Sequence, residues 1–391
     1  MPFETAELYK KYMLNISMPS GVDAAQSGES AELAKQIIEE SKLRFDLFME
    51  NGELVSKSDM VRVTKREAQP YEEKSGESFE ERLGGYVSRR ARYLVEVAVP
   101  EKKEAKLNFL LLCEGSGMPL EIAISAGKGS RLSLFEWFGS TISCRAMSAP
   151  FHIVTAEDKA EVEINVLHNE GPETTIGALS RVTAGEDSKV RFNSIYNGGK
   201  LVRSSTLAEA AGRGSNLLVN EIALGNAEQK FDINTFTLNS NKETKAVLKT
   251  GAVLKGKSFC ILKGYAKVSA GTDGSYSNVE ERGLVLDPDA RIQPLPDMSI
   301  DCKDVAFASH SASTSPIDRE ALFYLMSRGI DEAKAKRIFV ASFLSKYLAD
   351  IGNDIVKEIA ISILLDKLDN DRHASIPKIS MQNLWIVPER G

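Results

Sequence analysis

Four stretches of the chain share one pattern: GKGSRLSLFEW (127–137), AEDKAEVEINV (156–166), GEDSKVRFNSI (185–195) and GRGSNLLVNEI (212–222). Each has a polar turn, then a small residue, then a strand of alternating apolar and polar side chains. The spacing is roughly 27 to 30 residues, typical of repeat architectures, when counted from the small residues Ser130, Ala160, Ser188 and Ser215. The stretch ETKAVL (243–248) falls about one period further on.

A unit of this kind cannot bury its apolar face alone, so successive units must stack and share one continuous core. No amphipathic helix of about 10 residues or more interrupts residues 100–315, which excludes βαβ, leucine-rich and ankyrin architectures. The pattern therefore predicts a mainly β fold, with a right-handed parallel β-helix as the core over residues 100–315. A flattened β-sandwich stays open, because alternation alone does not distinguish stacked coils from antiparallel hairpins.

Residues 1–99 are predicted to form a separate, mainly helical segment followed by a charged connector. The stretch SAELAKQIIEESKLRFDLFM (30–49) contains good helix formers, begins with a capping serine and stops at the turn dipeptide Asn51-Gly52. The stretch KREAQPYEEKSGESFEERLGGYVSRRAR (65–92) is highly charged and broken by glycine and proline. We expect it to be a solvated loop or linker.

Residues 316–391 are predicted to form a C-terminal helical region that docks a partner. Ser315 is a good N-cap, Pro316 suits the first helical position, and Gly329 suits the end of that helix. A second helix and a third, over residues 353–368, should complete a small bundle.

The second of these helices carries an apolar stripe that includes Phe339, Phe343 and Tyr347 at helical spacing. The stripe is larger than one helix needs in order to seal the end of a sheet. We therefore expect it to contribute to a partner interface.

Composition narrows the functional classes. The chain has 391 residues and a formal net charge of −6, so a nucleic-acid partner is not expected. The first residues lack the basic and apolar parts of a secretory signal, and no run of about 18 apolar residues indicates a membrane span. A cytoplasmic protein is expected.

The cysteines are too dispersed to indicate a zinc site or a disulfide framework. The four of them, which lack any CxxC pairing, are Cys113, Cys144, Cys260 and Cys302. Each is predicted to be a small buried side chain.

Three stretches carry a specific resemblance to a known family. They are LKGKSFCILKGYAKV (254–268), GTDGSYSNVEERGLVLDPDARIQPLPDMSIDCKDVAFASHSAS (271–313) and EALFYLMSRGI (320–330). The first stretch resembles a strand pair of the SufB/SufD family. The second resembles that family's apolar triplet, acidic step and histidine, and the third resembles one of its helices. That family comprises β-helical scaffold proteins of SUF iron-sulfur cluster assembly.

Departures from the family pattern favour the SufD branch. Residues 279–286 read VEERGLVL and lack the cysteine that the SufB branch has near this triplet, and Ser309 stands where SufB tends to have a glutamate. Ala308 occupies a position where SufD often has a cysteine, while Ser311 and Ser313 replace glycine and threonine.

His310 is the one histidine that lies in a recognisable family motif, so the resemblance makes it the candidate for cluster assembly or metal binding. A neutral imidazole binds iron and also shuttles protons. A structural role in a Ser-rich turn is the alternative for His310, and a structural role is expected for His152, His168 and His373. Cys302 suits core packing better than ligation.

The resemblance also implies partners. The chain has no G-x-x-x-x-G-K-[ST] signature, so ATP hydrolysis is expected in a SufC-like ATPase that docks on the C-terminal helices. Phe323, Tyr324 and Arg328 are the predicted contacts, although Phe323 plugging the end of the β-helix is an equal alternative. No stably bound cofactor is expected. An iron-sulfur cluster would form transiently at an interface with a SufB-like paralogue or with a second copy of the chain.

The predicted function is thus a non-enzymatic, SufD-like scaffold that acts with an ATPase and a SufB-like partner. Two alternatives remain at this stage. One is a β-helical adaptor without chemistry, in which His310 is incidental. The other is a β-helical carbohydrate-active enzyme with paired carboxylates on one strand face.

Overall fold

The computed structural model describes residues 29–41, 43–71, 77–113, 115 and 117–369. Within them the chain folds into a β-solenoid of about eight turns with a helical region after it, which confirms the predicted mainly β-helical fold. The helices are α1 (Glu29–Ser41), α2 (Phe79–Arg90), α3 (Arg319–Ser327), α4 (Glu332–Leu348) and α5 (Asp354–Asp369). None of the described helices is long and apolar enough to cross a membrane.

The strands form two sheets of ten strands each, which we call the front sheet and the back sheet. In spatial order, the front sheet consists of β2 (Glu53–Lys57), β1 (Leu47–Glu50), β5 (Glu104–Cys113), β7 (Arg131–Ser140), β9 (Glu161–Asn169), β11 (Lys189–Tyr196), β13 (Asn216–Gly225), β15 (Lys245–Leu254), β17 (Tyr276–Val285) and β20 (Phe307–Pro316). The back sheet consists of β18 (Arg291–Pro294), β16 (Phe259–Val268), β14 (Lys230–Asn239), β12 (Leu201–Ala210), β10 (Thr175–Ala184), β8 (Met147–Ala156), β6 (Met118–Ala126), β4 (Tyr93–Val99) and β3 (Val61–Lys65), with β19 (Asp297–Ile300) also paired to β16.

From β4 to β17 the chain alternates between the two sheets, so each coil lays one strand on each sheet. All neighbouring pairs in this range are parallel; for example, residues 216–225 of β13 pair in unbroken register with residues 245–254 of β15. Alternate side chains therefore point into one shared interior, where an apolar cluster runs along the solenoid. This cluster supplies the main hydrophobic stabilisation.

The corner before each front strand explains the sequence repeat. Ser130, Ala160, Ser188 and Ser215 are all fully buried there, directly before their strands. The preceding residue has a positive φ in every case, 64° for Gly129, 58° for Lys159, 53° for Asp187 and 70° for Gly214. Since such turns tolerate only a few polar residues or glycine without large strain, the corner imposes the polar-then-small pattern.

The N-terminal part differs from the prediction in two places. The helix predicted over 30–49 ends at Ser41, and the strand β1 follows because Leu47 and Met49 point into the core beside β5. Parallel pairing with a buried strand outweighs the local helical propensity. Together with β2, β3 and β4, this strand extends the two sheets.

The charged stretch over residues 65–92 is also not merely a loop, because α2 forms within it. Ser78 and Glu81 make a reciprocal capping box at its start. Phe79, Leu83 and Tyr86 are buried against the outer face of the back sheet, so tertiary packing compensates for the glycine pair in the helix. The division into domains 1–99, 100–315 and 316–391 stays a prediction.

The C-terminal helices begin later than predicted. Ser315 and Pro316 lie at the end of β20, where Ser315 pairs with Leu284, and the actual N-cap of α3 is Asp318. The Asp318 carboxylate accepts hydrogen bonds from the backbone N–H groups of Glu320, at 2.9 Å, and Ala321, at 3.3 Å.

The apolar stripe of α4 is used inside the molecule, so the expectation that it forms a partner interface is wrong. Tyr347 is 1% exposed, and Phe339 and Phe343 pack against the same cluster on the outer face of the front sheet. The Tyr347 hydroxyl donates to the carbonyl oxygen of Thr250 at 3.2 Å. The side-chain amide of Asn220 donates to the carbonyl oxygen of Tyr347 at 2.8 Å, which fixes α4 on the solenoid.

The glycine beneath Tyr347 makes this docking testable. A Cβ at Gly251 would lie 2.6 Å from Tyr347 Cζ, so Gly251→Ala should destabilise the protein by about 1–3 kcal/mol through overpacking. Gly84→Ala in α2 is the control, because its Cβ would meet Leu179 Cδ2 at 3.6 Å and alanine favours the helix. Urea unfolding measures both variants. Equal stabilities would contradict the described packing of α4.

Candidate functional site

The two ends of the solenoid differ. At the N-terminal end the sheets finish with β2 and β3, which are joined antiparallel to their neighbours β1 and β4. At the C-terminal end, which we call the open end, the back sheet finishes with β18 and β19, two four-residue strands separated at Leu295 and Pro296. The front sheet finishes with β20, which is ten residues long and mostly exposed.

His310 lies in the middle of β20 and not in a turn. It pairs with Val279 of β17, which is fully buried in the core, so His310 belongs to the inward-facing row of the front sheet. Because no described coil follows β20 in this sheet, the imidazole is exposed over the open end of the interior.

Glu281 lies on β17, two residues after Val279, the residue that pairs with His310. It is therefore the next inward-facing position, one strand further from the open end. It pairs with Ala312 of β20 and is fully buried. No described side chain donates a hydrogen bond to its carboxylate, and burial raises the pKa of Glu281 well above its usual value. Burial therefore favours the protonated form of this carboxyl just inside the open end, against hydrogen bonds from the backbone of Gly264 and Leu295.

Polar residues continue inward along the same row. Thr250 of β15 pairs with Glu281, and Glu221 of β13 pairs with Thr250. From the opposite sheet, Thr206 donates to the Glu221 carboxylate at 3.1 Å, and the Thr235 hydroxyl donates to its other oxygen. Burial nevertheless raises the pKa of Glu221 to about 7. The interior thus contains protonatable groups that no sequence pattern had identified, although the inward position of Glu281 follows from strand alternation.

The two buried histidines occupy closed sites. Nε2 of His152 lies 2.6 Å from a Glu136 oxygen, and Nδ1 of His168 lies 3.0 Å from a Glu170 oxygen. Both histidines are 1% exposed. His373 lies outside the described residues.

The four cysteines are all buried. Cys302 follows β19, and its sulfur lies 3.5 Å from Oδ1 of Asp273. Within the described part of the chain, no group of three or more histidine, cysteine or acidic side chains is arranged to hold a metal ion.

The predicted partner contacts lie together on α3. Phe323 is 73% exposed and Tyr324 is 56% exposed, so Phe323 does not plug the end of the solenoid. The Arg328 guanidinium lies over the Tyr324 ring, 5.1 Å from its centroid. With Met326, which is also exposed, these residues form an aromatic patch that we call the α3 patch.

Within the described residues, the chain is a two-sheet β-solenoid with a helical region on its front face. At its open end the front sheet finishes with the ten-residue strand β20, which there pairs on one side only. The family model described as "SUF system FeS cluster assembly, SufBD core domain" matches residues 110–343, which is more than half of the chain. The chain belongs to this SufBD family, which confirms the predicted resemblance. The match begins far upstream of the stretches that carry the resemblance in sequence.

Curated relatives share this description. The iron-sulfur cluster assembly protein SufD of Bacillus subtilis is 27% identical over 252 residues, covering 63% of this chain and 57% of its own length. The Escherichia coli protein of the same name is 24% identical over 249 residues, covering 63% and 58%. A SufBD family protein of Pyrococcus horikoshii is 25% identical over 253 residues, covering 64% and 56%. The chain therefore matches less than two thirds of each relative's own length.

Two adjacent glutamates of β17 should show opposite pH effects. Glu281→Gln removes a carboxyl whose pKa is higher in the native state than in the unfolded state. As the pH rises, the unfolded state therefore loses this proton first. Above pH 4.5, the free energy of unfolding of the wild type should fall relative to that of this variant. The fall should be up to about 1.4 kcal/mol per pH unit. Urea unfolding across the acidic to neutral range measures the difference.

Glu280→Gln is the matched control on the outer face of the same strand. Burial opposes ionisation of Glu280, but hydrogen bonds from Lys346 and Arg282 outweigh it and leave its pKa lowered. This variant should be less stable than wild type above pH 4.5, and the deficit should shrink as the pH falls through the lowered pKa. A pH-independent difference for Glu281→Gln would contradict the protonated, buried carboxyl.

Proposed function

We propose that the chain is a SufD-like scaffold component of a SUF iron-sulfur cluster assembly complex, acting with a SufC-like ATPase and a SufB-like partner. The cluster is the cargo and is held transiently at the interface with the partner scaffold. Membership of the SufBD family and the SufD names of the relatives support the assembly role. No stably bound cofactor and no catalytic role are proposed.

The observation that carries the proposal is the position of His310 on β20, which among the described strands pairs only with β17 and so forms an edge. A long exposed edge presents a row of free N–H and C=O groups, which natural proteins usually shorten, bend or cover. The back sheet follows this rule at the open end, where Pro294 and Pro296 interrupt short strands. The front sheet does not, because β20 offers an extended edge for pairing with another chain.

A partner that pairs with β20 would also close the interior over His310. The imidazole, on the inward row, would then lie at the seam between the two solenoids, where ligands from both chains can meet. A single nitrogen cannot hold an iron-sulfur cluster, so the remaining ligands must come from the partner. A SufB-like paralogue or a second copy of the chain would each provide such an edge, and the homodimer is kept as the alternative.

The carbohydrate-active alternative requires two carboxylates on one strand face, and the pair of this kind on β9 gives it no support. Glu161 and Glu163 project from one face of β9, as paired catalytic carboxylates would. Lys189 donates to Glu161 at 2.8 Å and, against slight burial, lowers its pKa, whereas a general acid requires a raised pKa. The backbone N–H of Gly352 donates to Glu163 at 2.9 Å, which ties that carboxylate to the segment before α5.

The α3 patch is the proposed docking surface for the ATPase subunit. Exposed aromatic side chains with a stacked arginine are frequent anchors in protein interfaces. The apolar stripe of α4 packs against the front sheet. The exposed large apolar side chains of the described helical region therefore lie on α3, with Ile355 of α5 in addition.

His310→Ala should leave folding intact and reduce cluster assembly. The side chain is exposed, so the free energy of unfolding should change by less than about 1 kcal/mol. Cluster formation in the assembled complex, followed by absorbance and iron content, should fall while the complex stays intact. Ser311→Ala on the opposite face of β20 and Cys302→Ser, which removes only a packed sulfur, should both retain assembly. Normal cluster formation with His310→Ala would favour the adaptor alternative.

Replacing Phe323 and Tyr324 together by serine should weaken binding of the ATPase subunit by about 30-fold or more, because the loss of even one anchor that contributes about 2 kcal/mol corresponds to about 30-fold. Stability should stay within about 0.5 kcal/mol because both side chains are exposed. Val55→Ser, which removes an apolar side chain that is 53% exposed on β2, is the control. Calorimetric titration measures the affinities, and unchanged binding of the double variant would place the docking surface elsewhere.

A further inference from the structure

Two cysteines meet at a corner of the solenoid, away from the open end. Cys113 ends β5, and Cys144 lies in the loop after β7, the neighbouring front strand. Their sulfur atoms are 3.9 Å apart and share a hydrogen bond, and the side chains are 0% and 2% exposed. Cys113 pairs with Ser140 on the next coil. The loop that follows Ser140 therefore passes over Cys113 and places the Cys144 thiol beside it.

The corner around the two sulfurs is polar. Ser140 Oγ lies 2.8 Å from Thr174 Oγ1 and accepts a hydrogen bond from the backbone N–H of Gly171 at 2.7 Å. Thr174 Oγ1 in turn donates to the carbonyl oxygen of Cys144 at 3.1 Å. This network holds the loop 141–146 in place over Cys113.

The two thiols have different acidities. The hydrogen bond with Cys113 lowers the pKa of Cys144 to about 6, against the effect of burial and with help from the backbone N–H groups of Ala146 and Gly115. The same hydrogen bond, burial and the nearby Glu170 carboxylate raise the pKa of Cys113 well above its usual value. Tyr86 of α2, whose pKa burial raises to about 12, is another titratable neighbour of Cys113. One thiolate therefore lies beside one thiol, the arrangement of an attacking and a resolving cysteine.

The sulfur of Cys144 is shielded by a thin loop. Ile142 is 65% exposed, and Ser143 and Arg145 are also exposed, so this one short loop separates the Cys144 sulfur from solvent, and its opening would admit peroxide. The strands β5 and β7, which lead to the two cysteines, are paired with each other, so the two sulfur atoms stay close when the loop opens.

We propose that Cys113 and Cys144 are a modification site that forms an intramolecular disulfide with hydrogen peroxide as oxidant. The Cys144 thiolate attacks one peroxide oxygen, so an S–O bond forms, the O–O bond breaks and hydroxide leaves. The Cys113 thiol then attacks the Cys144 sulfenic sulfur. The S–S bond forms, the S–O bond breaks, and the leaving hydroxide takes the thiol proton. The hydroxide from the first step takes up the proton that Cys144 released on ionising, so two thiols are oxidised to one disulfide and the peroxide is reduced to two molecules of water.

The chain contains its own controls. Cys260 is fully buried in the core, and burial raises its pKa well above the usual value. Cys302 is also buried, and its thiol donates a hydrogen bond to Oδ1 of Asp273 at 3.5 Å. Neither should react under conditions that oxidise the pair.

The full chain is reduced, treated with hydrogen peroxide at neutral pH, denatured, alkylated and digested without reductant for mass spectrometry. Alkylation should fall from four cysteines to two, and one cross-linked peptide should join Cys113 to Cys144. With dimedone present, Cys113→Ser should trap a sulfenic acid on Cys144, whereas Cys144→Ser should give no adduct on Cys113.

Four alkylated cysteines after treatment, or oxidation spread equally over all four, would overturn the proposal. The wild-type peptide map decides this outcome alone if a serine variant fails to fold. A dimedone adduct on Cys113 in Cys144→Ser, equal to that on Cys144, would overturn the assigned roles of the two sulfurs.

Discussion

Every coil of this protein depends on backbone hydrogen bonds to the coils on either side. Ten consecutive residues of β13 pair in register with β15, and β15 pairs in the same way with β17. The corner turns continue the ladder, since the N–H of Gly129 donates to Asp158 and that of Lys159 donates to Glu186. Such stacking supplies a partner for every inner coil, and within the described residues only the outer sides of the two ends lack one. At the open end that edge is the ten-residue strand β20, whose outward backbone groups need a partner from outside the described part of the chain.

The same stacking explains the interior chemistry. Because each coil repeats the positions of the one before, a polar side chain on an inward row meets another polar side chain one coil away. Glu221 receives hydrogen bonds from Thr206 and Thr235 in this way. Glu281 has no equivalent donor among the described side chains, and burial raises its pKa well above the usual value. A buried carboxyl of this kind costs stability, and such costs are typically retained where a function needs the group.

The sequence was sufficient for the solenoid. It also singled out His310, whose role stays a prediction, but it did not reveal the surroundings of that histidine. The repeat from Ser130 to Ser215 reflects one corner that recurs every coil, so local chemistry predicts it. The edge position of His310 depends on which strand comes last, a global property that no local pattern contains. The strand β1 was mistaken for helix because its pairing with β5 is long-range. The spacing of Cys113 and Cys144 is about one coil, so their contact was available from the repeat length once the stacking was accepted.

The proposed function requires β20 to be an edge that another chain completes. Hydrogen exchange of the β20 backbone amides tests this claim most directly, measured on the chain alone and on the complex with the partner scaffold. We expect the amides of residues 307–315 that face away from β17 to exchange quickly in the isolated chain and to become protected in the complex, while β13 amides are protected in both. Unchanged exchange along β20 in an intact complex would contradict the claim.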